Sequence, residues 1–217
     1  MISRVGTVAK YTGALVGCLL LASTARAVSM LDFDSPGGGS ISYAGGSSPL
    51  VGTDIPVDMV SQIPGGPFGV ACSNCFLNFQ TGNLVTGDAS QYTFASGGSI
   101  TLTGLVAGMS GGAVTLFSGS FDGLTTMNAQ GINGDSFSDF KDPVLLALFG
   151  LPGGPYAGNL NMMFTATLTS SPTAFTSMPD GGDVVNNPTV PEPGTLLLLS
   201  SGLGSLRYLV RRRRVAG

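Results

Sequence analysis

Leu160-Asn161-Met162-Met163-Phe164-Thr165-Ala166-Thr167-Leu168 is the stretch that decides the fold class. Leu160, Met162, Phe164, Ala166 and Leu168 fall on one side of an extended chain. Asn161, Thr165 and Thr167 fall on the other. A period of two over nine residues describes a half-buried strand. Ser99-Ile100-Thr101-Leu102-Thr103 repeats the pattern in short form. Cys75, Leu77 and Phe79 alternate in the same way, as do Tyr92 and Phe94. Ala113 to Phe121 is longer, and its apolar face switches between Leu116 and Phe117, which places a bulge there. Turn signals separate these runs: Thr81-Gly82-Asn83, Gly97-Gly98, Gly111-Gly112, Asp122-Gly123 and Asn133-Gly134. Short strands, glycine turns and little helix predict a single all-β sandwich, jelly-roll or immunoglobulin-like.

One connector helix is expected. Asp142 caps it, Pro143 suits its first position, Leu145, Leu146, Leu148 and Phe149 are apolar, and Gly150 ends it. The β-sandwich domain is expected over 28–169. The segment 170–190, with Pro172, Pro179, Gly181-Gly182 and Pro188, reads as a flexible spacer. Ile63-Pro64-Gly65-Gly66-Pro67-Phe68 and Leu151-Pro152-Gly153-Gly154-Pro155-Tyr156 echo each other, a likeness that shared turn chemistry explains more simply than duplication.

Both ends carry addresses. Arg4 and Lys10 form a positive region, Tyr11 to Ala22 is apolar, and Ala25-Arg26-Ala27 is a small-x-small cleavage site. Residues 1–27 therefore read as a secretory signal peptide, with Val28 the first mature residue. Leu15-Val16-Gly17-Cys18 matches a lipoprotein box, but the apolar run continues beyond it and the small-x-small site follows.

At the other end, residues 191–217 hold Pro191-Glu192-Pro193, then an apolar run from Thr195 to Val210, then Arg211, Arg212, Arg213 and Arg214. As a helix the run spans about 24 Å, at ~1.5 Å per residue, short for a hydrocarbon core of about 30 Å. Arg207 can extend its charge to the interface, and the four arginines stop transfer on the cytoplasmic side. Motif, apolar helix and arginine cluster in this order resemble the PEP-CTERM sorting signal of exported bacterial proteins. The resemblance covers the tail alone. It implies an exosortase that cuts near the motif, an inner-membrane intermediate, and a final place at the cell surface or outside a Gram-negative bacterium that makes exopolysaccharide.

Setting the two addresses aside changes the charge. Of nine Lys and Arg, only Lys141 lies in 28–190, whereas eleven of the twelve acids do, all of them Asp. One lysine against eleven aspartates leaves −10. Nucleic-acid binding depends on Lys and Arg, so nucleic acid is excluded as a partner. Cations, neutral glycans and protein fit this surface.

Chemical resources are few. Cys72-Ser73-Asn74-Cys75 is the one cysteine pair outside the signal peptide. Zinc needs four ligands and the chain has no His, so a structural disulfide in an oxidising compartment is expected. Asp32 and Asp34 flank Phe33, and Asp135, Asp139 and Asp142 lie close together. Asp32, Asp34, Asp135 and Asp139 are the candidate calcium ligands, though none matches the twelve-residue calcium loop. A solvated acidic surface is the plainer reading.

Without His, the histidine-dependent nucleophile and base arrangements are excluded. In 28–190 a single Lys, no Arg and no glycine-rich phosphate loop with Lys argue against phosphoryl transfer. Trp is absent, so a sugar platform would fall to Tyr43, Tyr92, Tyr156 and the phenylalanines. The expectation is a non-catalytic exported surface or matrix protein, with no cofactor. Its partners would be an exosortase, the export machinery and extracellular polysaccharide, and the inner membrane transiently through the C-terminal helix. A glycan-binding module is the alternative, and an Asp-based glycan hydrolase a weaker one.

Overall fold

The computed structural model describes residues 29–133 and 136–189. It is nearly all β, as the alternation predicted. Among the described residues thirteen antiparallel strands form one sheet, with one short helix. The strands are β1 (Met30–Ser35), β2 (Ser40–Tyr43), β3 (Pro49–Ile63), β4 (Val70–Gly87), β5 (Gln91–Phe94), β6 (Gly97–Val106), β7 (Val114–Phe121), β8 (Thr125–Asn128), β9 (Gly131–Asn133), β10 (Ser136–Lys141), β11 (Pro155–Met163), β12 (Phe175–Ser177) and β13 (Gly181–Pro188). The helix α1 is Pro143–Leu148.

The sheet returns on itself. β10 pairs with β7, then β6, β4, β3, β1, β13 and β11 follow in turn, and β11 pairs again with β10. Eight strands thus close a ring in which none presents a free edge along its whole length, which manages the hazard of exposed ladders. β5, β8 and β9 bridge β4 to β11 at the other end, and β2 and β12 extend from β3.

The core is what alternation dictates. Leu160, Met162, Phe164, Ala166 and Leu168 are all buried, although the strand expected to run to Leu168 ends at Met163, the end of β11. So are Cys75, Leu77 and Phe79, Tyr92 and Phe94, and Ile100 and Leu102. Leu116 and Phe117 are both buried, and the β6–β7 register slips opposite them, where the bulge was expected. Phe117 packs between Phe33, at 5.3 Å between ring centres, and Phe137, at 6.0 Å. The Asp142 carboxylate caps α1, accepting from the amides of Val144 (2.7 Å) and Leu145 (3.1 Å), and Leu145 and Leu146 turn inward.

Two expectations are corrected. Of the turn signals, Thr81-Gly82-Asn83 lies within β4 and Gly97-Gly98 opens β6, so neither is a turn. A Cβ on Gly82 would stand 2.4 Å from the Ser96 carbonyl oxygen, so glycine serves close backbone approach there. The larger correction concerns 170–190. This segment is not a spacer. It contributes β12, and also β13, which lies between β11 and β1 with eight register pairs to β11 and five to β1. Its composition resembles a linker because packing demands small residues: a Cβ on Gly182 would stand 2.3 Å from the Asn161 carbonyl oxygen. Only Gly181, Val184 and Asn186 of β13 are buried. The folded domain therefore continues to residue 188.

Candidate functional site

Four places carry chemistry. The sorting residues Pro191, Glu192, Pro193 and Arg211 to Arg214, and the signal-cleavage residues Ala25 and Ala27, lie outside the described residues. The other three places are on the folded domain.

The first is the cysteine pair. Cys72 and Cys75 form a disulfide, with Cα atoms 5.7 Å apart. It closes over Ser73-Asn74 within β4, where the register against β6 shifts and Asn74 takes φ of 51°. The disulfide thus clamps a bulge in a strand rather than a turn before one. Gly104 on β6 faces it, and a Cβ there would meet the Cys75 sulfur at 2.2 Å.

The second is the outer face of β1 and β13. The burial pattern of β1 turns Leu31, Phe33 and Ser35 inward and Asp32 and Asp34 outward, so the two carboxylates share a face. Asp34 is opposite Asp183, and Asp183 is opposite Asn161 on β11. Burial first, then the charges of Asp34 and Asp183, push the Asp32 carboxyl up to about 6. Burial, then Asp183 and Asp58, raise that of Asp34. Asp34, Asn161, Met163 and Asp183 line an open groove of about 500 Å³ with Ile132, Met162 and Gly182.

The third is buried, inside the closed ring of strands. β10 turns Phe137, Asp139 and Lys141 inward. Asp139 and the Lys141 side chain are fully buried, and their ion pair measures 2.6 Å from Nζ to Oδ2. Asn186 of β13, also fully buried, donates its Nδ2 to the same Oδ2 at 3.1 Å. The ammonium lies 4.7 Å from the ring centre of Phe117, 4.8 Å from Tyr156 and 5.5 Å from Phe33. Burial pushes the Lys141 amine down to about 8 against the pull of Asp139. Burial also raises the Asp139 carboxyl, despite Lys141. Burial, then Asp139, pushes Tyr156 up to about 12. Asp139 Oδ1 and Asn186 Oδ1 have no hydrogen-bond donor. Gly158 makes room for this cluster, since a Cβ there would stand 2.4 Å from Asn186 Nδ2 and 2.1 Å from the Phe137 ring.

The expected calcium ligands are therefore not one site. Asp32 and Asp34 face outward on β1, Asp139 is sealed inside with a lysine, and Asp135 lies outside the described residues. Among the described residues no three acidic or cysteine side chains converge as metal ligands do. Nor are the tyrosines sugar platforms. Tyr43, Tyr92 and Tyr156 are buried, with hydroxyls donating to the carbonyls of Gly46, Thr169 and Pro152. Lys141 stood out in the sequence as the domain's lone cation. The alternation Phe137, Asp139, Lys141 was the signal that it points inward.

The tail is decided by comparison with known families. Residues 189–214 match the family model of the PEP-CTERM protein-sorting motif. This tail is a PEP-CTERM sorting signal. The PEP-CTERM match begins at the residue after β13 ends. It implies processing by an exosortase and export through the membrane to the cell surface. Comparison of the chain with curated proteins and with solved structures gives no match.

Proposed function

We propose that this chain is a non-catalytic, exosortase-processed protein of the bacterial surface or extracellular matrix. The observation that carries this reading is the PEP-CTERM match at 189–214, placed directly after the last strand of a disulfide-bonded all-β domain. Composition supports it: the mature region lacks His and Glu, and its one Lys is buried against Asp139. A Gram-negative host that makes exopolysaccharide is the setting the sorting signal suggests, and that polysaccharide is the proposed matrix partner.

Cell fractionation with and without the host's exosortase tests the reading. With the enzyme, the protein is expected in the outer or extracellular fraction without its arginine tail. Without it, the uncut chain should stay with the inner membrane. Identical processing and location in both strains would overturn the proposal.

A second reading, glycan binding, is favoured by the groove that sets Asp34 and Asp183 beside Asn161. Two carboxylates there also keep a hydrolase in view. A pull-down with the host polysaccharide, repeated with Asp183→Asn, separates binding from mere residence. Release of new reducing ends by the wild-type protein would show hydrolysis.

A further inference from the structure

Lys141, Asp139 and Asn186 have a relationship that stability does not require. A buried ion pair costs desolvation, and replacing one by apolar side chains is often neutral or stabilising. Here a carboxamide is buried with the pair as well, and two of the oxygens lack a donor. An amine, a carboxylic acid and a carboxamide are thus gathered in a space walled by Phe33, Phe117 and Tyr156.

We propose that Lys141 and Asn186 are joined by an isopeptide bond, formed with Asp139 as the proton carrier. The amine and the carboxamide meet on one atom, Asp139 Oδ2, at 2.6 Å and 3.1 Å. Rotation of the carboxamide exchanges its oxygen and nitrogen at that contact, so a protonated Asp139 can donate to the carbonyl under attack.

The step balances without any co-reactant. Asp139 takes the ammonium proton, which leaves a neutral amine. The Nζ lone pair attacks Asn186 Cγ, and a Cγ–Nζ bond forms. The carbonyl electron pair moves to Oδ1, where Asp139 stabilises the charge. As it returns, the Cγ–Nδ2 bond breaks. Asp139 relays a proton from Nζ to Nδ2, which leaves as ammonia. The products are a secondary amide, ammonia and an Asp139 that still holds the proton taken from the ammonium. Passing that proton to the departing ammonia, which leaves as ammonium, returns the carboxylate.

Burial favours the reactive forms. It lowers the affinity of Lys141 for its proton and raises that of Asp139, so the neutral pair is brought within reach. Holding nucleophile and electrophile in one enclosed geometry supplies the rest. The bond would span β10 to β13 across β11. β13 is the strand from which the sorting signal leaves, so the linkage fastens the end by which the chain is handled.

Peptide mapping of the full chain, exported in its host, decides the matter. Between Arg26 and Arg207 the only tryptic site is Lys141. After reduction and denaturation the chain is expected to resist trypsin there. A second protease should yield one branched peptide joining Lys141 to Asn186, lighter by one ammonia than its two parts. Complete cutting after Lys141 into peptides of unmodified mass would overturn the bond. Loss of one water, with Lys141 joined to Asp139 instead, would overturn it too. In Asp139→Ala the linkage should be lost. A linked Asp139→Ala chain would overturn the role of Asp139, while the wild-type map decides the bond whether or not that variant folds.

Discussion

Asp34 and Asp183 stand directly opposite each other on the neighbouring strands β1 and β13, two acids facing across a ladder. Like charges in that position are destabilising. The backbone pairing around them holds, and Asn161 rather than a third acid occupies the next position of the row.

The first prediction is a pH dependence. Asp32, beside this pair, has its carboxyl raised from 3.8 to about 6, first by burial and then by Asp34 and Asp183. Folded chains therefore hold a proton that unfolded chains release. Its contribution to stability is fully present below the ordinary value and is lost as pH rises through about 6. Thermal unfolding of the mature protein should give a higher Tm at pH 5 than at pH 7. Asp32→Asn should flatten that slope. A Tm that climbs from pH 5 to pH 7 would contradict the assignment. NaCl and CaCl2 at equal ionic strength should raise Tm alike at pH 7, because screening is general. A larger gain in calcium would mean chelation at this face.

The second concerns the extent of the domain. Because β13 pairs on both sides, residues 28–169 should not fold, whereas residues 28–189 should. Circular dichroism and a cooperative melt compare the two. A cooperative melt for 28–169 would restore the spacer reading.

The third concerns the disulfide. Replacing Cys72 and Cys75 by Ser should lower stability by about 1–2 kcal/mol, since so short a loop removes little chain entropy. Gly104→Ala should cost more, about 1–3 kcal/mol, because a Cβ 2.2 Å from the Cys75 sulfur overpacks the site. Chemical denaturation of both variants gives the order directly.

The fourth concerns the buried pair. Lys141→Met removes the amine beside Asp139, and with it any bond to Asn186, and should destabilise by at least about 3–5 kcal/mol. Adding Asp139→Leu should recover part of that loss, because the stranded carboxyl is removed with it. A double variant no more stable than the single one would show that Asp139 is satisfied without Lys141.

The fifth concerns processing. Mass spectrometry of the protein from its host should find a chain that starts near Val28 and lacks Leu196 to Gly217. An intact arginine tail on the surface protein would mark a plain anchor instead.

The alternation of Leu160 to Leu168, the face switch at Leu116 and Phe117, and the Asp142 cap were legible because each is a local rule: period two, one extra residue, one oxygen for two amides. The address at 189–214 was legible for the same reason, being read along the chain and not across it. β13 was hidden because only three of its residues are buried, so it carries no apolar alternation, and its close neighbours select the glycines that linkers also use. Asp139 was grouped with acids near it in sequence, yet its partners are Lys141 two residues on and Asn186 across β11. The sequence by itself determined the all-β class, the charge and the destination. The closure of the strands into a ring, and the meeting of amine, acid and carboxamide inside it, were decided by tertiary structure, because both depend on contacts between residues far apart along the chain.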